Sequence, residues 1–79
     1  MFQVYILKSL KNGRFYTGST TNLERRLEEH NQTGNGYTKL TRPFILVYKK
    51  NFLTRKEAVQ RELYLKTGMG REWIYKNFR

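Results

Sequence analysis

Apolar positions in the first fifty residues fall into short runs separated by turn signals. FQVYILKS at 2–9 is rich in β-branched and aromatic residues, KNG at 11–13 is a turn sequence, and RFYTG resumes the pattern, so the chain opens with a β-hairpin. Because strand side chains alternate, the loop length decides which of them share a face. A two-residue Asn12-Gly13 turn puts Tyr5 and Tyr16 together and Lys8 opposite. A three-residue loop with a bulge puts Lys8 with Tyr16 and excludes Tyr5. A regular hairpin cannot gather all three.

Helical spacing appears next. Thr21 followed by Glu24 forms a capping box, and Leu23 with Leu27 gives a narrow apolar stripe, so a helix is expected over 22–31, ended by TGNG at 33–36. GNGYTKLTRP holds glycines, hydroxyls and the one proline, and reads as a loop whose Lys39 and Arg42 contact a ligand. FILVYKK at 44–50 is a third strand. Thr54 and Glu57 form another capping box, with Leu53 and Ala58 placed as a hydrophobic staple, and predict a helix over 55–67. Gly68 is placed to end it, and REWIYKNF forms a last short helix after Gly70. The expected class is α/β in the α+β sense: a small three-stranded antiparallel sheet flanked by helices, ordered ββαβαα, in one domain over 1–79.

Composition narrows the partners. Sixteen Lys and Arg against six Asp and Glu give a formal charge of +10 on 79 residues, which sets a positive potential over much of the surface. Residues 1–40 carry six bases and three acids, residues 41–79 ten bases and three acids, so the second half is the stronger footprint. Nucleic acid is the natural partner, and the chain shows no basic amphipathic helix with a broad apolar face that would favour a membrane. The absence of cysteine excludes disulfides and thiol chemistry. MFQVYILKSL is too short and too interrupted for a leader or a spanning helix, so a soluble cytoplasmic protein is expected.

Five side chains carry candidate chemistry. Glu62 lies among Ala58, Val59, Leu63 and Leu65, so its carboxylate projects from the core stripe or its edge. A carboxylate there needs an arginine partner or a divalent metal. Arg26 and His30 stand four apart on one helix face, an arrangement that suits phosphate, although taken alone Glu24, Glu28 and Glu29 on the same helix favour a solvated face paired with Arg25 or Arg26. Tyr5 and Tyr16 sit on the hairpin strands, where most tyrosines simply pack. A phenol with its ordinary pKa of about 10 is ionised in only about one molecule in a thousand at neutral pH.

The ordered set VYI at 4–6, YTG at 16–18, Arg26, His30 and Glu62 resembles the GIY-YIG nuclease superfamily along essentially the whole chain. It is most similar to small stand-alone bacterial members, related to the nuclease domain of the excinuclease C subunit and to certain homing endonucleases. The first triplet departs from the family pattern in having its tyrosine central, and the second in having threonine for isoleucine. The resemblance implies that Tyr5 is a general base and that Tyr16 and Gly18 belong to the second triplet. It matches Lys8 to a lysine of part of the family and Arg26 to the arginine on the scissile phosphate, with Arg25 peripheral beside it. It matches His30 to a histidine of a subset, and Glu62 to the one acid that binds Mg2+ or Mn2+.

A metal-dependent endonuclease acting on DNA, more than RNA, is therefore expected. A non-catalytic nucleic-acid binding module on the same scaffold is the alternative, and a basic protein packed on ribosomal RNA a weaker one. Sequence-specific reading would need a protein partner. Oligomeric state and pathway are not encoded in any feature of the chain.

Overall fold

The computed structural model describes residues 1–33 and 42–79. Its elements are β1 (Phe2–Ser9), β2 (Phe15–Thr20), α1 (Leu23–Glu28) continued by a π-helical turn (Glu29–Thr33), β3 (Phe44–Phe52), α2 (Arg55–Leu65) and α3 (Gly68–Phe78). The three strands form an antiparallel sheet in the order β2-β1-β3, the expected α+β arrangement. As the middle strand, β1 is covered on both faces, and Val4, Tyr5, Ile6 and Leu7 are at most 1% exposed. Lys39 and most of its loop lie outside the described residues.

The hairpin loop is longer than either length expected. Pairing runs from Gln3↔Thr20 through Tyr5↔Gly18 to Lys8↔Phe15, which leaves residues 10–13 as the loop. Ser9 is the cause: its buried hydroxyl accepts from the N–H groups of Lys11 and Asn12 at 3.1 and 3.2 Å, and its carbonyl accepts from Gly13 at 2.9 Å. The register differs from that of a two-residue turn by two, so the parity is preserved. Tyr5 and Tyr16 share one face, and Lys8 points to the other, with its ammonium 5.8 Å from the centre of the Phe15 ring.

Each face buries its own layer. On one, Val4 and Ile6 pack with Ala58, Leu65 and Ile74 from α2 and α3, surrounded by Phe2, Phe15, Val47, Tyr48, Phe52, Trp73 and Phe78. On the other, Tyr5 and Leu7 pack with Leu23 and Phe44, flanked by Tyr16, Leu27 and Leu46. A bulge in β3 lets that strand serve both layers. Ile6 pairs with Tyr48 but Leu7 pairs with Leu46, so Val47 has no partner and the alternation shifts by one residue.

Several boundaries differ from the sequence reading. Asn22, not Thr21, caps α1: its side chain accepts from the Arg25 N–H at 3.1 Å, while Thr20 Oγ1 accepts from the Asn22 N–H. Asparagine is the stronger cap of the two. Thr54 caps α2 as expected, but Leu53 is 79% exposed, so no staple forms over Ala58. Gly68 does not end α2. Thr67 both closes α2 and opens α3, donating its hydroxyl to the Tyr64 carbonyl at 2.6 Å and accepting from the Gly70 N–H at 3.2 Å. At Gly70 a side chain would run into the backbone of Tyr64 and Leu65, so glycine lets α3 close onto α2.

Candidate active site

Hairpin and first helix bring four of the expected residues together. Tyr5, from the middle strand, lies across Gly18 of β2, where a side chain would meet the Tyr5 hydroxyl and sit 2.7 Å from its Cζ. Glycine at this position is therefore what admits the Tyr5 ring. The Tyr5 hydroxyl is 3.4 Å from His30 Nε2, and the Tyr16 ring meets the His30 ring edge-on with centroids 4.6 Å apart. Phe44 closes a third side of the imidazole at 5.9 Å.

His30 is placed by the π-helical turn that follows α1, a wide turn often found at functional sites. Asn31 fastens that turn to the sheet. Its side chain accepts from the Phe44 N–H at 2.6 Å and donates to the Phe44 carbonyl at 3.2 Å. The two residues that helical spacing had paired sit at different depths: His30 is 8% exposed, whereas the Arg26 side chain is 47% exposed, 3.8 Å from Glu29, with its guanidinium still close enough to act on Tyr5 and His30.

Electrostatics assign the protons. Burial pushes the Tyr5 phenol up to about 12, against the opposing pull of the Arg26 guanidinium beside it, so the phenol is protonated throughout the neutral range. Burial, then the Arg26 charge, lowers the His30 imidazole below its usual range despite Glu29, so His30 is neutral at pH 7. A neutral imidazole stands next to a protonated phenol.

Glu62 approaches from the opposite face. On α2, Ala58, Glu62 and Leu65 form the stripe that meets the sheet, while Val59 and Leu63 are exposed. Its partner is not an arginine, as the pairing alternative had it. Ser19 Oγ of the edge strand β2 donates to Oε1 and Lys66 Nζ to Oε2, both at 2.7 Å. Burial opposes ionisation, but these two hydrogen bonds and the Lys66 charge outweigh it and hold the carboxyl below its usual range. Glu62 is thus an ionised, mostly shielded carboxylate at the rim of the sheet.

A cavity of about 210 Å³ beside Ser19 links the two faces. It is lined by Ser19, Thr20 and Thr21 from the end of β2, by Arg26, and by Arg55 and Ala58 of α2, with Phe2 beneath. Arg55 and Ser19 were not singled out in the sequence. The signal for Arg55 was present, since it precedes Glu62 by seven residues and shares its helix face. Lys8 stands apart from the Tyr5 and His30 cluster, on the other side of the sheet. Arg25 is an exposed partner of Glu29 at 3.4 Å, and Arg42 Nη1 donates to the Asn31 carbonyl at 3.4 Å, tethering the chain before β3.

Fold and site together define a class of small α+β domain in which hairpin tyrosines, a helix arginine and histidine, and a carboxylate from a later helix meet at the edge of a three-stranded sheet. The chain belongs to the GIY-YIG catalytic domain family, whose model matches residues 1–76, and that family is a superfamily of nucleases. It is 48% identical over 65 residues to the UPF0213 protein of Staphylococcus haemolyticus, covering 81% of this chain and 78% of that one. It is 45% identical over 65 residues to the UPF0213 protein of Desulfotalea psychrophila, covering 80% and 58% respectively. The solution NMR structure of the UPF0213 protein of Bacillus halodurans matches with a TM-score of 0.58 at 35% identity, over 96% of this chain and 84% of that one.

Nucleases of this superfamily generally depend on a divalent metal. Among the described residues no three His, Cys, Asp or Glu side chains converge on one point. Glu62 nevertheless suits such an ion. It is ionised, and the ammonium already seated on Oε2 marks a position that favours a cation. A lone carboxylate matches magnesium, which keeps several waters and takes further oxygens from substrate phosphate. No helix of the described residues is long and apolar enough to cross a membrane.

Proposed function

We propose that the protein is an endonuclease that hydrolyses phosphodiester bonds of DNA, dependent on Mg2+ or Mn2+ held at Glu62. The observation that carries this reading is the cavity at the end of β2, where two guanidiniums and three hydroxyls face a space beside the one shielded carboxylate. Arg26 and Arg55 have the charge and reach to hold the scissile phosphate, and they stabilise the negative charge that spreads over its oxygens during displacement. Glu62 would hold the cation, which when bound would supply Lewis-acid polarisation of the phosphoryl group.

The chain's own residues handle the proton. An attacking water bonded to Tyr5 Oη gives its proton to that oxygen while the Tyr5 hydroxyl passes its own to His30 Nε2, which accepts in the Nδ1-protonated tautomer. Tyr5 thus relays rather than persisting as phenolate, and His30 is the final acceptor. The water oxygen bonds to phosphorus as the bond to the leaving sugar oxygen breaks, and that oxygen takes a proton from solvent. Tyr16 and Phe44 hold the imidazole plane.

The test is nicking of supercoiled plasmid and cleavage of branched, nicked and single-stranded DNA and RNA substrates, with Mg2+ or Mn2+ against chelator, using wild type and Glu62→Ala. Metal-dependent cleavage that vanishes in the variant while binding persists is expected. Equal binding by both proteins with no metal-dependent cleavage by wild type would overturn the reading in favour of a binding module.

A further inference from the structure

A second, larger cavity of about 530 Å³ runs along the outer edge of β2 on the α2 and α3 side, within the size range of ligand sites. Its walls carry Arg14, Lys66 and Arg71, and no acidic residue lines it. Lys66 is engaged by Glu62, but among the described residues the Arg14 and Arg71 guanidiniums have no side-chain partner. Its floor is the buried Leu65 and Ile74. Three aromatic residues line it: Phe15, Tyr16, and Tyr75, which is 49% exposed and meets Phe15 edge-on at 5.4 Å.

Cations alternating with an exposed ring are the chemistry of unpaired nucleic acid. Guanidiniums take the phosphates, and a ring face takes a base in a way that a paired base cannot use. The groove also leads to the site. Lys66 lines it and donates to Glu62, Glu62 accepts from Ser19, and Ser19 lines the cavity of Arg26 and Arg55. From Phe15 to Ser19 the edge strand covers about 14 Å at roughly 3.4 Å per residue.

We propose that this groove seats an unpaired nucleic-acid strand flanking the scissile phosphate, with one base against Tyr75 and its phosphates on Arg14 and Arg71. The position of the scissile phosphate rests on the nuclease reading above; the affinity of the groove does not. The site therefore selects substrates with a single-stranded tail over blunt duplex. Lys8, whose ammonium stands 5.8 Å from the centre of the Phe15 ring, extends the same track.

Fluorescence anisotropy in chelator, with tailed and blunt oligonucleotides of DNA and of RNA, tests this. Tyr75→Ala is expected to bind tailed substrates about tenfold more weakly and blunt duplex unchanged. Arg14→Ala/Arg71→Ala is expected to lose affinity and about 1.4 units of the salt slope, for two phosphates of a single strand. Arg71→Glu, at an exposed position, guards against a folding artefact and should weaken binding further. Wild-type affinity for tailed substrate in all three groove variants overturns the proposal even if the protein cleaves, as does failure of wild type to prefer tailed over blunt. Loss of tailed binding in a protein that never cleaves supports the groove and removes the nuclease reading alone. Whether DNA or RNA shows the loss identifies the source of the strand.

Discussion

The two layers packed on the sheet bury different things. The layer beneath α2 and α3 is built from Val4, Ile6, Leu65 and Ile74, side chains with no hydrogen-bonding demand. The layer beneath α1 contains Tyr5 and His30, polar groups 3.4 Å apart with the Arg26 guanidinium beside Tyr5. Burying a polar group without a full set of partners costs free energy, whereas each fully buried aliphatic side chain contributes about 1.5–3 kcal/mol. The first layer holds the fold, and the second uses part of that stability to keep a phenol and an imidazole buried side by side. Glu62 is attached to the first and meets the second only at the β2 rim.

The largest contrast should come from one substitution in each layer. Ile6→Ala is expected to destabilise by about 2–5 kcal/mol in denaturant melts while leaving cleavage per folded molecule unchanged. Arg26→Ala is expected to lower cleavage by about 10²–10³-fold and stability by no more than about 0.5 kcal/mol. Equal effects on both readouts in both variants would dissolve the division of labour. Gly18→Ala should couple the layers' roles. Its methyl group displaces the Tyr5 ring, so stability should fall by about 1–3 kcal/mol and cleavage with it, the latter because the contact from Tyr5 to His30 is broken.

A smaller signature lies in pH. His30 has a lowered value in the folded chain and about 6.5 in the unfolded one, so the unfolded state takes up the proton first as pH falls. Its contribution to stability is present above about pH 6.5 and is lost as pH falls through the folded value. Tyr5 has the opposite sign: raised to about 12, it contributes stability below its unfolded value of about 10 that is lost as pH rises toward 12. Denaturation midpoints should therefore decline at both ends, with the acid limb reduced in His30→Gln and the alkaline limb reduced in Tyr5→Phe. Unchanged limbs would show that burial does not control these protons.

Much of this was legible because local signals and burial agree. Alternation fixed the strands, and the Thr54 cap fixed the start of α2. Where they failed, a particular side chain had intervened. Ser9 lengthened the hairpin loop through two backbone contacts that no turn motif announces. Thr67 took over the helix boundary that Gly68 appeared to mark. The candidate residues could be named from the sequence but not their grouping: the π-helical turn buries His30 and leaves the Arg26 side chain half-exposed. Ser19 was invisible because its role depends on a helix 43 residues away. Arg55 was overlooked although its spacing from Glu62 is plain in the sequence.

The bulge at Val47 makes β3 a message written in two reading frames. Up to Leu46 the even-numbered residues address the α1 layer. From Tyr48 onward the even-numbered residues address the layer beneath α2 and α3. One unpaired residue thus isolates the wall of the His30 pocket, at Phe44, from the aromatic cluster of Tyr48, Trp73 and Phe78. A change in one frame need not be answered in the other, so the wall of the His30 pocket can be altered while the scaffold's own wording stays as it is.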